Sequence, residues 1–201
     1  FKGTLTFPTV GHDVGLAEGD LGVAVLQGLD VGLGAVADNS GNGKVGVVGE
    51  IYLKFNNFAQ RGIVDWLTEQ RVEVVPPVLA DFFTQTFVNR KANVAAQIEK
   101  HKISDYLIGL GYHLVRSEIR KVNKICSKFR YFTPFGEIFH EAELAKNVIS
   151  LNAQFGEGWL LPAEIISYAE SGVKSVISLQ PFGCIANHIV SKGVEKRIKR
   201  V

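Results

Sequence analysis

The sequence predicts an α/β protein: a Rossmann-like parallel sheet flanked by helices, with a helical insertion at about residues 78–150. Three observations predict it. Val45-Gly46-Val47-Val48-Gly49 is a short, uncharged apolar run, the pattern of a strand buried on both faces. A helical stretch and a second apolar run, Val72-Glu73-Val74-Val75, follow within the roughly 30 residues of a βαβ unit. Near the C-terminus a helix and a third run, Val173–Leu179, repeat that order.

Residues 1–43 are a Gly-rich segment with little periodicity. They hold 10 of the 21 glycines and one basic against five acidic residues, so the remainder of the chain carries the positive excess. Gly15, Gly19, Gly22, Gly28, Gly32 and Gly34 interrupt every candidate helix, each at a cost of up to about 1 kcal/mol relative to alanine, and loops are expected there. The main α/β domain is expected over residues 44–201.

After the first strand, Asn57 or a neighbour is placed to cap a helix carrying Phe58, Ile63, Val64 and Leu67 at helical spacing, with Trp66 alongside. Pro76-Pro77 closes the second strand. Residues 78–150 read as helical throughout: Leu79, Phe82, Phe83, Thr86 and Phe87 share one face of the first helix, and Glu137–Val148 makes the last. Between them, residues 90–130 carry ten Lys or Arg against three acids, with Ile98, Tyr106, Ile108, Leu114, Ile119 and Ile125 interspersed. Such a charge run reads first as a solvated helical face and secondly as an anion or partner surface. Trp159–Glu170 is a further helix, with Pro162 tolerated in its first turn and Gly172 as its stop. The chain closes on a helix from Ile185 whose basic tail suits the helix dipole.

Composition excludes several classes. Hydrophobic residues at 46% and charged residues at 21% are those of a packed chain, not a disordered one. A net charge of +2 gives no reason to expect a nucleic-acid or membrane-surface partner. No apolar run approaches the roughly 18–20 residues of a membrane span, and no signal peptide is recognisable at the start. Two cysteines, Cys126 and Cys184, form neither a disulfide framework nor a CxxC, so a reducing, cytoplasmic setting is expected. The 201 residues include no methionine, not even an initiator, which reads as a piece of a longer chain.

Four patterns bear on chemistry. Gly41-Asn-Gly43-Lys-Val-Gly46 matches GxGxxG in form but precedes its strand, whereas a dinucleotide fingerprint follows one; it is rejected. No P-loop occurs, so no ATPase motif lies in this piece. Gly49-Glu50 sits at the carboxyl edge of the sheet, where open α/β sheets bind ligands; Glu50 is either a buried acceptor or a helix cap. Gly156-Glu157-Gly158 precedes a helix in the same way and leaves free N–H groups suited to an anion or substrate oxygen.

The fourth pattern is Gln180-Pro181-Phe182-Gly183-Cys184-Ile185-Ala186-Asn187-His188, which puts a thiol at a strand-to-helix junction. A helix N-terminus favours thiolate, the form that attacks or ligates a metal, and His188 lies one helical turn on. A metal ligand, a Cys184/His188 nucleophile and base, and a packed structural thiol all stay open. The nucleophile reading lacks an evident carboxylate to orient the histidine. Cys126 is expected to fill core on a helix.

The segments Lys44–Asn56, Gly156–Glu164 and Gln180–His188, in that order, resemble acyl-CoA dehydratase activase-related proteins, specifically their C-terminal dehydratase-like region, over about residues 44–200. The family is similar to the activator and dehydratase components of the 2-hydroxyacyl-CoA dehydratase system. The resemblance implies an ATP-dependent iron–sulfur electron-transfer system acting on an acyl-CoA or other small molecule. It implies Cys184 as a ligand of an iron–sulfur cluster, thiolate being the ligand such clusters take. Glu50, Gly156, Glu157, Gly158, Pro181, Phe182, Gly183, Asn187 and His188 would line the same cleft. The remaining ligands would come from outside these residues, and the expected partner is the rest of the same polypeptide or an ATPase activator module. The alternative is a cluster-free binding or protein-interaction domain in which Cys184 is structural and the basic helices of 90–130 dock a partner.

Overall fold

The computed structural model describes the backbone of residues 22–27 and the whole of residues 43–130, 132–181, 183–198 and 200. It is an α/β fold built on four parallel strands: β1 (Gly22–Gln27), β2 (Lys44–Gly49), β3 (Glu73–Val75) and β4 (Ser175–Gln180). They lie in the spatial order β1-β4-β2-β3, so the chain passes back over β2 between β3 and β4. The central strands β2 and β4 are buried along almost their whole length, which is why they read as unbroken apolar runs. β3 is a short edge strand and only partly covered.

Three expected strands are present within two residues of their expected bounds. β1 was not expected: the glycines around it suggested loops, but Val23-Ala24-Val25-Leu26 is itself a short apolar run that pairs with β4 from Gly22–Ser175 to Gln27–Gln180. The rest of residues 1–43, apart from Gly43, lies outside the described residues.

The helix expected around Phe58 is two helices instead, α1 (Ile51–Phe55) and α2 (Ile63–Glu69). Asn56 leaves the helical region and accepts from the Ala59 N–H through its side chain, and Gly62 takes a left-handed φ of 67°. Asn57 then braces the turn by donating to Asp65 rather than capping a helix, and Phe58 points into solvent. The inner positions Ile63 and Leu67 pack with Val45, Val47, Ile177 and Leu179 on one face of the sheet.

The stretch 78–150 is helical with breaks: α3 (Leu79–Ala95), α4 (Ser104–Cys126) and α5 (Ile138–Lys146). The α3–α4 turn is fixed by Arg90, which bonds the Asp105 carboxylate, Glu99 and the Lys100 carbonyl. α4 buries none of its residues, so Cys126, at its C-terminal end, is half-exposed rather than core filling. On the sheet face opposite α2, α5 and α6 (Leu160–Glu170) pack through Leu144, Ile165 and Ile166 against Val48 and Val176. A π-helical turn, Ala186–Ser191, leads from β4 into α7 (Lys192–Ile198), whose Ile198 joins that same layer.

Candidate functional site

The helices that follow β2 and β4 lead to opposite faces of the sheet, α2 to one and α7 to the other. Between the carboxyl ends of two such neighbouring strands an open α/β sheet leaves a crevice, its usual ligand position. The three segments carrying the resemblance meet there.

From β2, Gly49 ends the strand at φ 122°, and a Cβ on it would lie 2.1 Å from the Leu179 carbonyl oxygen. Only glycine allows that approach, which lets the Glu50 N–H donate to Leu179 O at 2.9 Å and ties the end of β2 to β4. The Glu50 carboxylate accepts from the Leu53 N–H, so of its two expected roles the structure shows the helix cap. Glu157 is buried and accepts from the Ile51 N–H at 2.8 Å, joining the Gly156–Gly158 loop to the start of α1. Gly156, at φ 58°, brings the same loop against Ala186, 3.7 Å from where its Cβ would sit. The backbone of Gly158 packs on Ala153 so closely that a Cβ would fall 1.9 Å from the Ala153 carbonyl oxygen.

From β4, Pro181 is half-buried and Gly183 is exposed at φ 81°; Phe182 lies outside the described residues. Cys184 is half-exposed, and its sulfur accepts from the Asn187 side-chain amide at 3.1 Å. His188 Nε2 accepts from the Gly183 N–H at 3.0 Å, so the neutral ring carries its proton on Nδ1. A ring in that tautomer has no free lone pair with which to take a proton from the thiol, and the Cys184/His188 nucleophile pair finds no support. Behind the loop lies a buried polar layer in which the Gln180 amide donates to Ser178 and Ser191. The side-chain amide oxygens of Gln180 and Asn187 are buried without a donor among the described residues, two acceptors that suit water or a ligand donor.

Sequence reasoning missed a second constellation on the α1, α3, α5 and α6 side. Lys54 is buried and its ammonium lies 3.1 and 3.3 Å from the two oxygens of buried Glu164. Asp81, in the first turn of α3, and Glu141, on α5, are coupled to them. Burial raises Asp81 to about 7, helped by Glu141 and opposed by Lys54. Burial likewise raises Glu141 to about 7 against a 2.9 Å hydrogen bond from Ser167, and its second oxygen has no partner among the described residues. Burial pushes Glu164 up against the pull of Lys54, and Tyr168, packed beside Gly46, is raised by burial and by Glu164. The available signal was the glutamate at position 164 within the otherwise apolar Leu160–Ile166 run, together with Lys54 inside a motif next to a strand.

The donor set decides what metal chemistry these residues could hold. Among the described residues no three His, Cys, Asp or Glu side chains gather within reach of one ion. An iron–sulfur cluster usually takes four thiolates, and the sequence contains two cysteines, of which only Cys184 stands at the crevice. The chain can therefore supply one ligand and not a complete cluster site. Comparison with protein-family models, curated proteins and solved structures finds no match to the chain.

Proposed function

We propose that this chain is the dehydratase-like part of an ATP-dependent acyl-CoA dehydratase activase, an iron–sulfur electron-transfer system, and that Cys184 contributes one thiolate ligand. The observation that carries the reading is the meeting of three separate segments at the carboxyl ends of β2 and β4, one of which carries a half-exposed thiol that receives an amide hydrogen bond. In such a site the protein sets the potential through ligation, burial and hydrogen bonds to sulfur, and Asn187 is placed to give one of those bonds. The other ligands, and the ATPase activity, belong to further sequence of the same polypeptide or to an activator module. An acyl-CoA or other small molecule is the proposed substrate, and the cytoplasm the proposed setting.

Anaerobic purification with iron and sulfide analysis tests this. Cys184→Ala is expected to lower the iron content; iron unchanged in the variant removes Cys184 from the cluster.

The second reading is a cluster-free binding domain with Cys184 structural. It is favoured by the solitary position of the thiol among the described residues. Protein that holds no iron when purified anaerobically, and that Cys184→Ala destabilises, decides for it.

A further inference from the structure

We infer that the groove between α3 and α5 binds a small organic anion, a carboxylate or phosphate carried on an apolar body. A cavity of about 490 Å³ opens there, within the size range of small-molecule sites. Two facing helix stripes build it. Val88, Lys91, Ala92 and Ala95 stand at the i, i+3, i+4 and i+7 positions of α3. Phe139, Ala142, Glu143 and Lys146 repeat that spacing on α5. Facing stripes ordinarily interdigitate and leave few voids. Here Ala92, Ala95 and Ala142 each stop at a methyl group, and space stays open between the helices. Its floor is apolar, because Val88, Ala142, Ile149 and Leu151 belong to one hydrophobic cluster.

Charge around the cavity selects what enters. Three cations line it, Lys91, Lys146 and Arg197, against the single acid Glu143. Glu143 is paired with Lys146 on its own helix. The Lys91 ammonium lies 5.1 Å from the centre of the Phe139 ring, a contact that holds the side chain without neutralising it. Arg197 reaches the cavity from α7, and neither it nor Lys91 has a carboxylate partner among the described residues. Two uncompensated positive charges therefore stand over an apolar floor. A neutral apolar molecule would leave the charges unanswered, and an inorganic anion would leave the floor unfilled. A molecule with one anionic group and an apolar body satisfies both. Glu50, Glu157, Cys184 and His188 take no part in this cavity, so the inference stands whether or not Cys184 holds a cluster.

The probe is the aromatic sulfonate 1-anilinonaphthalene-8-sulfonate, titrated against the whole chain by fluorescence and then competed. Saturable binding is expected, with displacement by octanoate or octyl phosphate; the tighter competitor names the head group. Lys91→Gln with Arg197→Gln is expected to weaken binding about tenfold or more. Ala92→Leu fills the cavity and is expected to weaken it as much. Lys121→Gln with Lys124→Gln removes exposed charge outside the cavity and should leave binding unchanged. Circular dichroism checks that each variant stays folded, and the exposed Lys91 and Arg197 positions keep the test open if Ala92→Leu does not fold. Binding that neither cavity variant weakens overturns the proposal. So does equal loss in the Lys121/Lys124 variant, which would make the effect one of net charge. Displacement by octanol as strong as by octanoate overturns it too, since the cations would then select nothing.

Discussion

The ammonium of Lys54 and the carboxylate of Glu164 form a bidentate pair inside the protein, 3.1 and 3.3 Å apart, with both residues more than nine-tenths buried. A charge in such a place survives only by virtue of its partner. Lys54→Met leaves Glu164 without the cation that opposes the effect of burial. At pH 8, where the orphaned carboxylate must either ionise or hold a proton against the solvent, the variant is expected to lose about 3–5 kcal/mol by chemical denaturation. At pH 5 the proton is cheap and the loss is expected to be clearly smaller. An equal loss at both pH values would show that packing of the lysine stem, not its charge, accounts for the effect.

The neighbouring carboxyls respond to pH in a way whose sign follows from their burial. Asp81 moves from 3.8, and Glu141 from 4.5, to about 7 in the folded protein. Below about 4 both the folded and the unfolded chain hold these protons, and the folded state is not penalised. As pH climbs from 4 to 7 the unfolded chain releases them first, so stability from these groups is lost across that interval and stays lost above it. Glu141→Gln keeps the neutral shape at every pH. Its stability relative to the native chain is expected to rise by up to about 3 kcal/mol between pH 5 and pH 8. Parallel stability–pH curves for the two proteins would refute the shift.

Glycine is required for its small size at Gly158 and is dispensable at Gly193. A Cβ at 158 would lie 1.9 Å from the Ala153 carbonyl oxygen, the same oxygen that accepts from the Trp159 N–H. Gly158→Ala must push the loop off that carbonyl, with an expected cost of about 1–3 kcal/mol or more. Trp159 is fully buried and its indole donates to Asn89 at 2.7 Å, so tryptophan fluorescence should report the displacement. Gly193 sits at an exposed position of α7 with nothing within 4 Å of its would-be Cβ. Gly193→Ala should be neutral or stabilise by up to about 1 kcal/mol.

What could be read in the sequence follows from how each signal is encoded. Strands β2 and β4 are buried on both sides, and a continuous apolar run announces that locally. β1 uses the same code in Val23–Leu26, but the glycines around it pointed to loops. The break between α1 and α2 depends on the left-handed backbone at Gly62 and on side-chain bonds of Asn56 and Asn57, which periodicity does not register. At the crevice, Gly49, Glu50, Gly156–Gly158 and Cys184 were all found, because glycines and polar residues at strand ends are local patterns. That Glu157 would bond the Ile51 N–H 106 positions away was not, nor that Lys54 would find Glu164 across 110. Pairing at such separation is a property of the tertiary fold. The same holds for His188, whose spacing from Cys184 suggested a base but whose ring turns to the Gly183 N–H.

Glu157 holds the crevice together by accepting from the backbone of Ile51 across the strand ends. Its role is that of an acceptor, and an amide oxygen can fill it. Glu157→Gln is therefore expected to keep the tie while removing a negative charge that helps raise Glu164. Glu157→Ala leaves the Ile51 N–H without its partner at a cost of about 1–3 kcal/mol. Hydrogen exchange separates these outcomes at one atom: the Ile51 amide should stay protected in Glu157→Gln and exchange at least several-fold faster in Glu157→Ala. The Leu53 amide, bonded to Glu50, serves as the internal control and should change little. If both variants expose Ile51 equally, the negative charge rather than the hydrogen bond fixes the Gly156–Gly158 loop to α1.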